Sequence, residues 1–295
     1  MRYLVKVAYD GGGYAGWQRQ MGVPTVAEEI EKALSRLLAH PVEIVGAGRT
    51  DKGVHAMGQY AHWDSQKPLP GPFLPRLNAL LPRDIQVLSL FRVPETFHAR
   101  HSAISRRYRY FLGQNLPLFW RRYAYEVPVR PLLGRLREAA QLWVGEKDFR
   151  AFCKGAKTYA HTQCIVHQAQ WSVWSYGGGT ILMVFDIEAN RFLHGMVRFL
   201  VGASLRYAMG RLPYEKLLAA IEAGDRSWGL WEAPAEGLFL YEVRYSQEVV
   251  YLLESYGPSS AGPFPAPDAA AGSESAANSG GPPSGAAHSG AGPAY

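Results

Sequence analysis

The residues best suited to chemistry in this chain sit together in Gly46-Ala47-Gly48-Arg49-Thr50-Asp51-Lys52-Gly53-Val54-His55. An aspartate between two cations, on a loop that three glycines let turn sharply and meet a ligand closely, can act as a nucleophile or a base. The same Asp51 could instead order the turn by bonding its own backbone, and spacing alone leaves both readings standing. A second cluster is Arg106-Arg107-Tyr108-Arg109-Tyr110. On a strand, Tyr108 and Tyr110 share one face while Arg107 and Arg109 share the other. That alternation suits a base stacked on an aromatic ring with arginines on phosphates, and equally a sheet edge with half-buried tyrosines. Phe97-His98-Ala99-Arg100 carries similar chemistry just upstream. Arg198 interrupts an apolar segment, and a buried arginine requires a carboxylate, either elsewhere in the core or Asp51 itself. Trp17-Gln18-Arg19-Gln20 is either a loop anchored by its indole or a contact to RNA. The nine histidines show no convincing metal spacing, and His55 and His62 read as structural.

These groups need elements to hold them. Tyr3 to Tyr9 reads as a strand, followed by a glycine-rich loop over Asp10 to Gly16. Thr25 with Glu28 three residues on predicts a capping box, opening a helix whose apolar face is Ile30, Leu34, Leu37 and Leu38. Strands follow at Val42 to Val45, Met57 to Trp63 and Ile85 to Val93, with a short helix over Phe73 to Leu81. Further on come a strand at Arg107 to Gly113, a helix over Leu132 to Val144, and a hairpin of Thr162 to Tyr176 with Thr180 to Ala189 around Gly177-Gly178-Gly179. Helices over Phe192 to Arg211 and Tyr214 to Ala223 precede a strand at Leu238 to Tyr245. The predicted class is therefore α+β: two ferredoxin-like or RNA-recognition-like βαββαβ units, with mainly antiparallel sheets and a central cleft. The units would span residues 1–100, with the Asp51 loop, and 101–250. Residues 257–295 are Gly, Pro, Ala and Ser at 33 of 39 positions and read as a disordered tail.

Composition narrows the partners. The chain carries 31 Lys and Arg against 25 Asp and Glu. Only Asp268 and Glu274 of these lie in the tail, which leaves the body at +8 and points to a polyanion such as nucleic acid. Cys153 and Cys164 are the only cysteines, and the start of the chain is not a signal peptide, so both are expected as thiols in a cytoplasmic protein. The apolar stretch from Phe192 to Met209 is broken by His194, Arg198 and Arg206, against a membrane span.

Taken in order, these stretches resemble the tRNA pseudouridine synthase A family. The resemblance rests on Tyr9-Asp10-Gly11, Gly16-Trp17-Gln18-Arg19-Gln20, Ala47 to Asp51, Gly53-Val54-His55, Phe97 to Arg100 and Arg106 to Tyr110. It continues through Phe192-Leu193-His194, Met196-Val197-Arg198 and Glu236-Gly237-Leu238, covering about residues 1 to 246. Lys52 and Ala56 stand where many members carry alanine and glycine. The resemblance implies an isomerase that turns uridine into pseudouridine at nucleotides 38, 39 and 40 of the tRNA anticodon stem-loop, as a homodimer needing neither cofactor nor metal. It makes Asp51 the nucleophile, Tyr108 the ring stacked on the target base, and Arg49 and Arg198 supporting cations. Arg19, Arg107 and Arg109 are the residues expected to meet tRNA. Two rivals remain at this level: a non-catalytic RNA-binding protein with two RNA-recognition-like units, and a metal-dependent nuclease or phosphotransferase using Asp10, Asp51 and a histidine.

Overall fold

The computed structural model of the chain describes residues 1–176, 179–227, 229, 231–246 and, by their backbone, 251–255. Gly177 and Gly178 of the expected hairpin turn, and the expected tail over 257–295, lie outside the described residues. The strands are β1 Arg2–Tyr9, β2 Val45–Gly46, β3 His55–Asp64, β4 Ile85–Val93, β5 Ala103–Gly113, β6 Tyr125–Glu126, β7 Gly145–Asp148, β8 Gln163–Tyr176, β9 Thr180–Ala189, β10 Leu238–Tyr245 and β11 Tyr251–Ser255. The α-helices are α1 Val26–Leu38, α2 Phe73–Leu80, α3 Leu133–Trp143, α4 Met196–Ala208 and α5 Tyr214–Glu222.

The strands form one mixed, mostly antiparallel sheet in the order β11-β4-β1-β3-β10-β5-β9-β8-β7, with β2 added to β3 and β6 to β5. β10 is the seam. It pairs in parallel with β3 at His55 and Ala56, and antiparallel with β5 along its length. β2 takes the same outer edge of β3 further along, at Ala61 and His62. The chain between β2 and β3, which holds Asp51, therefore leaves the sheet where β2 and β10 part company.

One face of the sheet carries the helices. Ile30 and Leu34 of α1 have no exposed surface, and burying each side chain stabilises the fold by about 1.5–3 kcal/mol. α3 buries Leu136 and Ala140 at the predicted helical spacing. Tyr108 and Tyr110 join this main core, while Phe111, Leu182, Val184 and Phe239 form a smaller cluster with Leu116 and Ala124.

Three local expectations change. The predicted strand at Val42 to Val45 shrinks to Val45–Gly46, because the preceding amides bond to α1 instead: Val42 N donates to Ser35 Oγ and Ile44 N to Glu31 Oε1. The capping box does not form. Thr25 is the N-cap of α1, but its Oγ1 is buried without a hydrogen bond, and Glu28 pairs with Lys32 at 3.1 Å. Loop carbonyls serve the first two helical amides instead, Val26 N donating to Gly16 O and Ala27 N to Trp17 O, which the helix itself cannot satisfy. Finally, α4 begins at Met196 rather than Phe192, after Gly195 in the left-handed region at φ 71°.

Candidate active site

The Asp51 loop is fastened at nearly every residue. Ala47 N donates to Tyr60 O, Trp17 N to Thr50 O, Gly53 N to Tyr14 O, and Val54 N to Asp51 O. The Gln59 amide donates to Gly48 O at 2.9 Å, and the Tyr9 and Thr50 hydroxyls share a buried bond of 2.8 Å. Arg106 adds a further tie. Its guanidinium donates to Ala47 O, Arg100 O, Ala103 O and Asn190 O, joining the loop to β5 and to the end of β9. Such a loop presents its acid in one place, which catalysis needs and a plain turn does not.

The Asp51 side chain is 22% exposed and faces the start of α4. Its Oδ1 lies 3.3 Å from His194 Nε2, and its Oδ2 lies 3.8 Å from Arg198 Nη1. Arg198 is better held elsewhere: Nε donates to Ala233 O at 2.6 Å, and Nη1 is 3.1 Å from Glu232 Oε1. The arginine that sequence reasoning set beside Asp51 is there, yet it is shared between two carboxylates. Tyr108 is 9% exposed, with its ring edge-to-face against Phe192 at 5.1 Å. Burial, and then the Asp51 charge, raise its phenol above the ordinary tyrosine range, so at neutral pH the ring is an uncharged platform.

The remaining cations divide. Arg49 is exposed and forms no hydrogen bond or ion pair among the described residues. Arg107 and Arg109 both pair with Asp186 on β9, and Arg109 also covers the Tyr241 ring, 3.6 Å from its centroid. Arg19 pairs with Glu31 of α1 while half its side chain stays exposed. Trp17 is 3% exposed, with its indole packed on Gly46, so it anchors the loop and is not an RNA contact. His55 and His62 are buried. The first pairs with Asp10, and the second accepts a bond from Ala99 N.

Asp10, offered by the metal-enzyme rival, is used structurally. Its carboxylate meets Gly12 N, His55, Tyr123 Oη and Arg122, and against burial the bonds of His55, Gly12 N and Tyr123 hold its pKa well below the usual carboxylate range. Among the described residues, no group of three or more His, Cys, Asp or Glu is placed to hold a metal ion. Likewise no helix is long and apolar enough to cross a membrane.

A family model described as tRNA pseudouridine synthase matches residues 6–102 and 139–246. The chain belongs to the tRNA pseudouridine synthase family. It is similar to the tRNA pseudouridine synthase A of Chlorobaculum tepidum, 44% identical over 243 residues, covering 82% of this chain and 96% of that one. The corresponding protein of Pseudomonas aeruginosa is 41% identical over 260 residues, covering 84% and 86%. That of Legionella pneumophila is 36% identical over 274 residues, covering 88% and 98%. Membership makes this enzyme an isomerase and sets aside the non-catalytic RNA-binding alternative. Two residues of the site were assigned no role from the sequence. His194 stood inside a motif without a function, and its signal was only its place in Phe192-Leu193-His194. Glu232 carried no signal, since nothing in its neighbours' types points to Arg198.

Proposed function

We propose that the enzyme isomerises uridine to pseudouridine at positions 38, 39 and 40 of the tRNA anticodon stem-loop, with Asp51 as nucleophile. The observation that supports this best is the pinned loop, which sets a part-exposed Asp51 carboxylate between His194 and Arg198 and near the buried ring of Tyr108. The target base must leave its stack to reach that carboxylate, and Tyr108 then supplies the surface on which it lies. The C1′–N1 bond breaks, the uracil turns, C5 bonds to C1′, the C5 proton leaves to water, and N1 takes up a proton. Asp51 either adds to C1′ or drives formation of a glycal, and both routes conserve atoms without a cofactor. Arg49, exposed and without a partner among the described residues, meets a phosphate or the base. Arg19, Arg107 and Arg109 meet the tRNA backbone with donors that Glu31 and Asp186 leave unused.

We also read the sheet as two βαββαβ units, residues 1–100 and 101–250. The local orders β4-β1-β3-β2 and β10-β5-β9-β8 support the reading, because each sets its first strand beside its last. A homodimer completes the proposal. The exposed side chains Leu118, Phe119, Val129 and Leu132 would give a second copy an apolar surface to cover. Incubation with unmodified tRNA, followed by position-by-position mapping of pseudouridine, tests the function. Conversion at 38 to 40 is expected from the enzyme and none from Asp51→Asn, which retains shape and tRNA binding. Conversion by that variant would remove Asp51 from the chemistry.

A further inference from the structure

Glu232 lies outside every motif that the residue types single out, yet the fold delivers it to the site by close backbone contact. Ala233 N donates to Arg198 O at 3.1 Å, and Arg198 Nε returns a bond to Ala233 O at 2.6 Å. The segment runs so near α4 that a Cβ on Gly202 would stand 2.0 Å from Trp231 O. At the start of the helix, a Cβ on Gly195 would stand 2.9 Å from Glu232 Oε1. Both glycines therefore clear the ground on which Glu232 sits.

The result is a line of charges. Lys154 Nζ is 2.8 Å from Glu232 Oε2, Arg198 Nη1 is 3.1 Å from Glu232 Oε1, and Arg198 Nη1 is 3.8 Å from Asp51 Oδ2. Arg198 and Glu232 are 14% and 19% exposed, so their attraction is less screened than that of a surface pair. Glu232 Oε1 forms no well-directed hydrogen bond, which makes its hold on Arg198 electrostatic and adjustable. A guanidinium bonded squarely to Asp51 would draw electron density from the attacking oxygen. One held a little away keeps its charge in the site and leaves that oxygen free.

We propose that Glu232, backed by Lys154, is a positioning residue that holds Arg198 close to Asp51 without letting it bond there. The idea rests on Asp51 being the nucleophile. Glu232→Gln keeps the shape and removes the charge. In a crystal structure of that variant, Arg198 Nη1 is expected to close from 3.8 Å to hydrogen-bond distance of Asp51 Oδ2. On tRNA, kcat should fall on the order of 10-fold with KM unchanged, and Glu232→Asp should restore part of it. Because Glu232 acts through Arg198, Glu232→Gln should cost little more in an Arg198→Gln background, measured by single turnover. Lys154→Met should give the opposite displacement, drawing Arg198 toward Glu232, and serves if Glu232→Gln does not fold. An unchanged Arg198–Asp51 separation, or the same loss of kcat with and without Arg198, overturns the proposal. If the unaltered enzyme converts no tRNA, the reading of Asp51 fails, while the crystallographic comparison still decides the role of Glu232.

Discussion

His194 Nε2 lies 3.3 Å from Asp51 Oδ1, at the N-terminal approach to α4. The histidine is held by its backbone: His194 N donates to the Tyr159 hydroxyl at 2.9 Å, and its carbonyl accepts from Lys154 N. Its side chain is 54% exposed, so the contact adds little to stability, and aiming the carboxylate is the role to test. His194→Ala should therefore lower kcat on the order of 10-fold, with KM for tRNA and the melting temperature nearly unchanged. Steady-state kinetics beside a thermal melt check this, and full activity would show that Asp51 is oriented by its loop alone.

Tyr108 separates stacking from ionisation. Its phenol is raised above the ordinary range, so the ring is neutral at ordinary pH. Tyr108→Phe should keep tRNA affinity nearly intact, while Tyr108→Ala should lose about 1–3 kcal/mol of binding. Equilibrium binding to tRNA distinguishes the two. Equal affinities of the Phe and Ala variants would take Tyr108 out of the base site.

The arginines should differ in their response to salt. Affinity for tRNA is expected to fall steeply as salt rises, because bound counterions are released. Arg49→Gln should reduce the slope of log K against log salt by about one, since no acid among the described residues shares its charge. Arg107→Gln should reduce it by less, because Asp186 already neutralises part of that charge. Equal slopes for Arg49→Gln and the unaltered enzyme would deny Arg49 a phosphate contact.

His62 predicts an acid sensitivity. Burial, and then the charges of Arg2 and His98, lower its pKa from 6.5 to about 4, and its Nδ1 accepts from Ala99 N at 3.2 Å. The folded protein thus keeps this ring neutral where the unfolded chain would protonate it. Its contribution is fully present above pH 6.5 and is lost as pH falls from 6.5 towards 4, by up to about 3 kcal/mol. Denaturant unfolding at several pH values should show a smaller loss over that window for His62→Gln. Parallel stability curves for the two proteins would contradict it.

Most elements were legible because their signals are local. The apolar face of α1 and the alternation along β5 state which side of each element meets the core, and Tyr108 and Tyr110 duly face it. The Asp51 loop was legible because glycine, acid and arginine crowd into ten residues between two apolar runs. Motif resemblance then carried the family.

By itself, then, the sequence determined the five helices and the longer strands to within a few residues, and the family, while the short strands β6 and β7 and the strand β11 carried no signal that was read. The tertiary structure alone decided who partners whom. Thr25 and Glu28 have the spacing of a cap, but Thr25 Oγ1 is buried without a hydrogen bond and Glu28 turns to Lys32. Arg198 needed an acid, and Glu232, 34 residues away in the chain and carried on a segment docked against Gly202, stands nearer than Asp51. Periodicity reports which face of an element is apolar. It holds no information on which distant charge a fold will bring within 4 Å, since that distance depends on how whole elements pack.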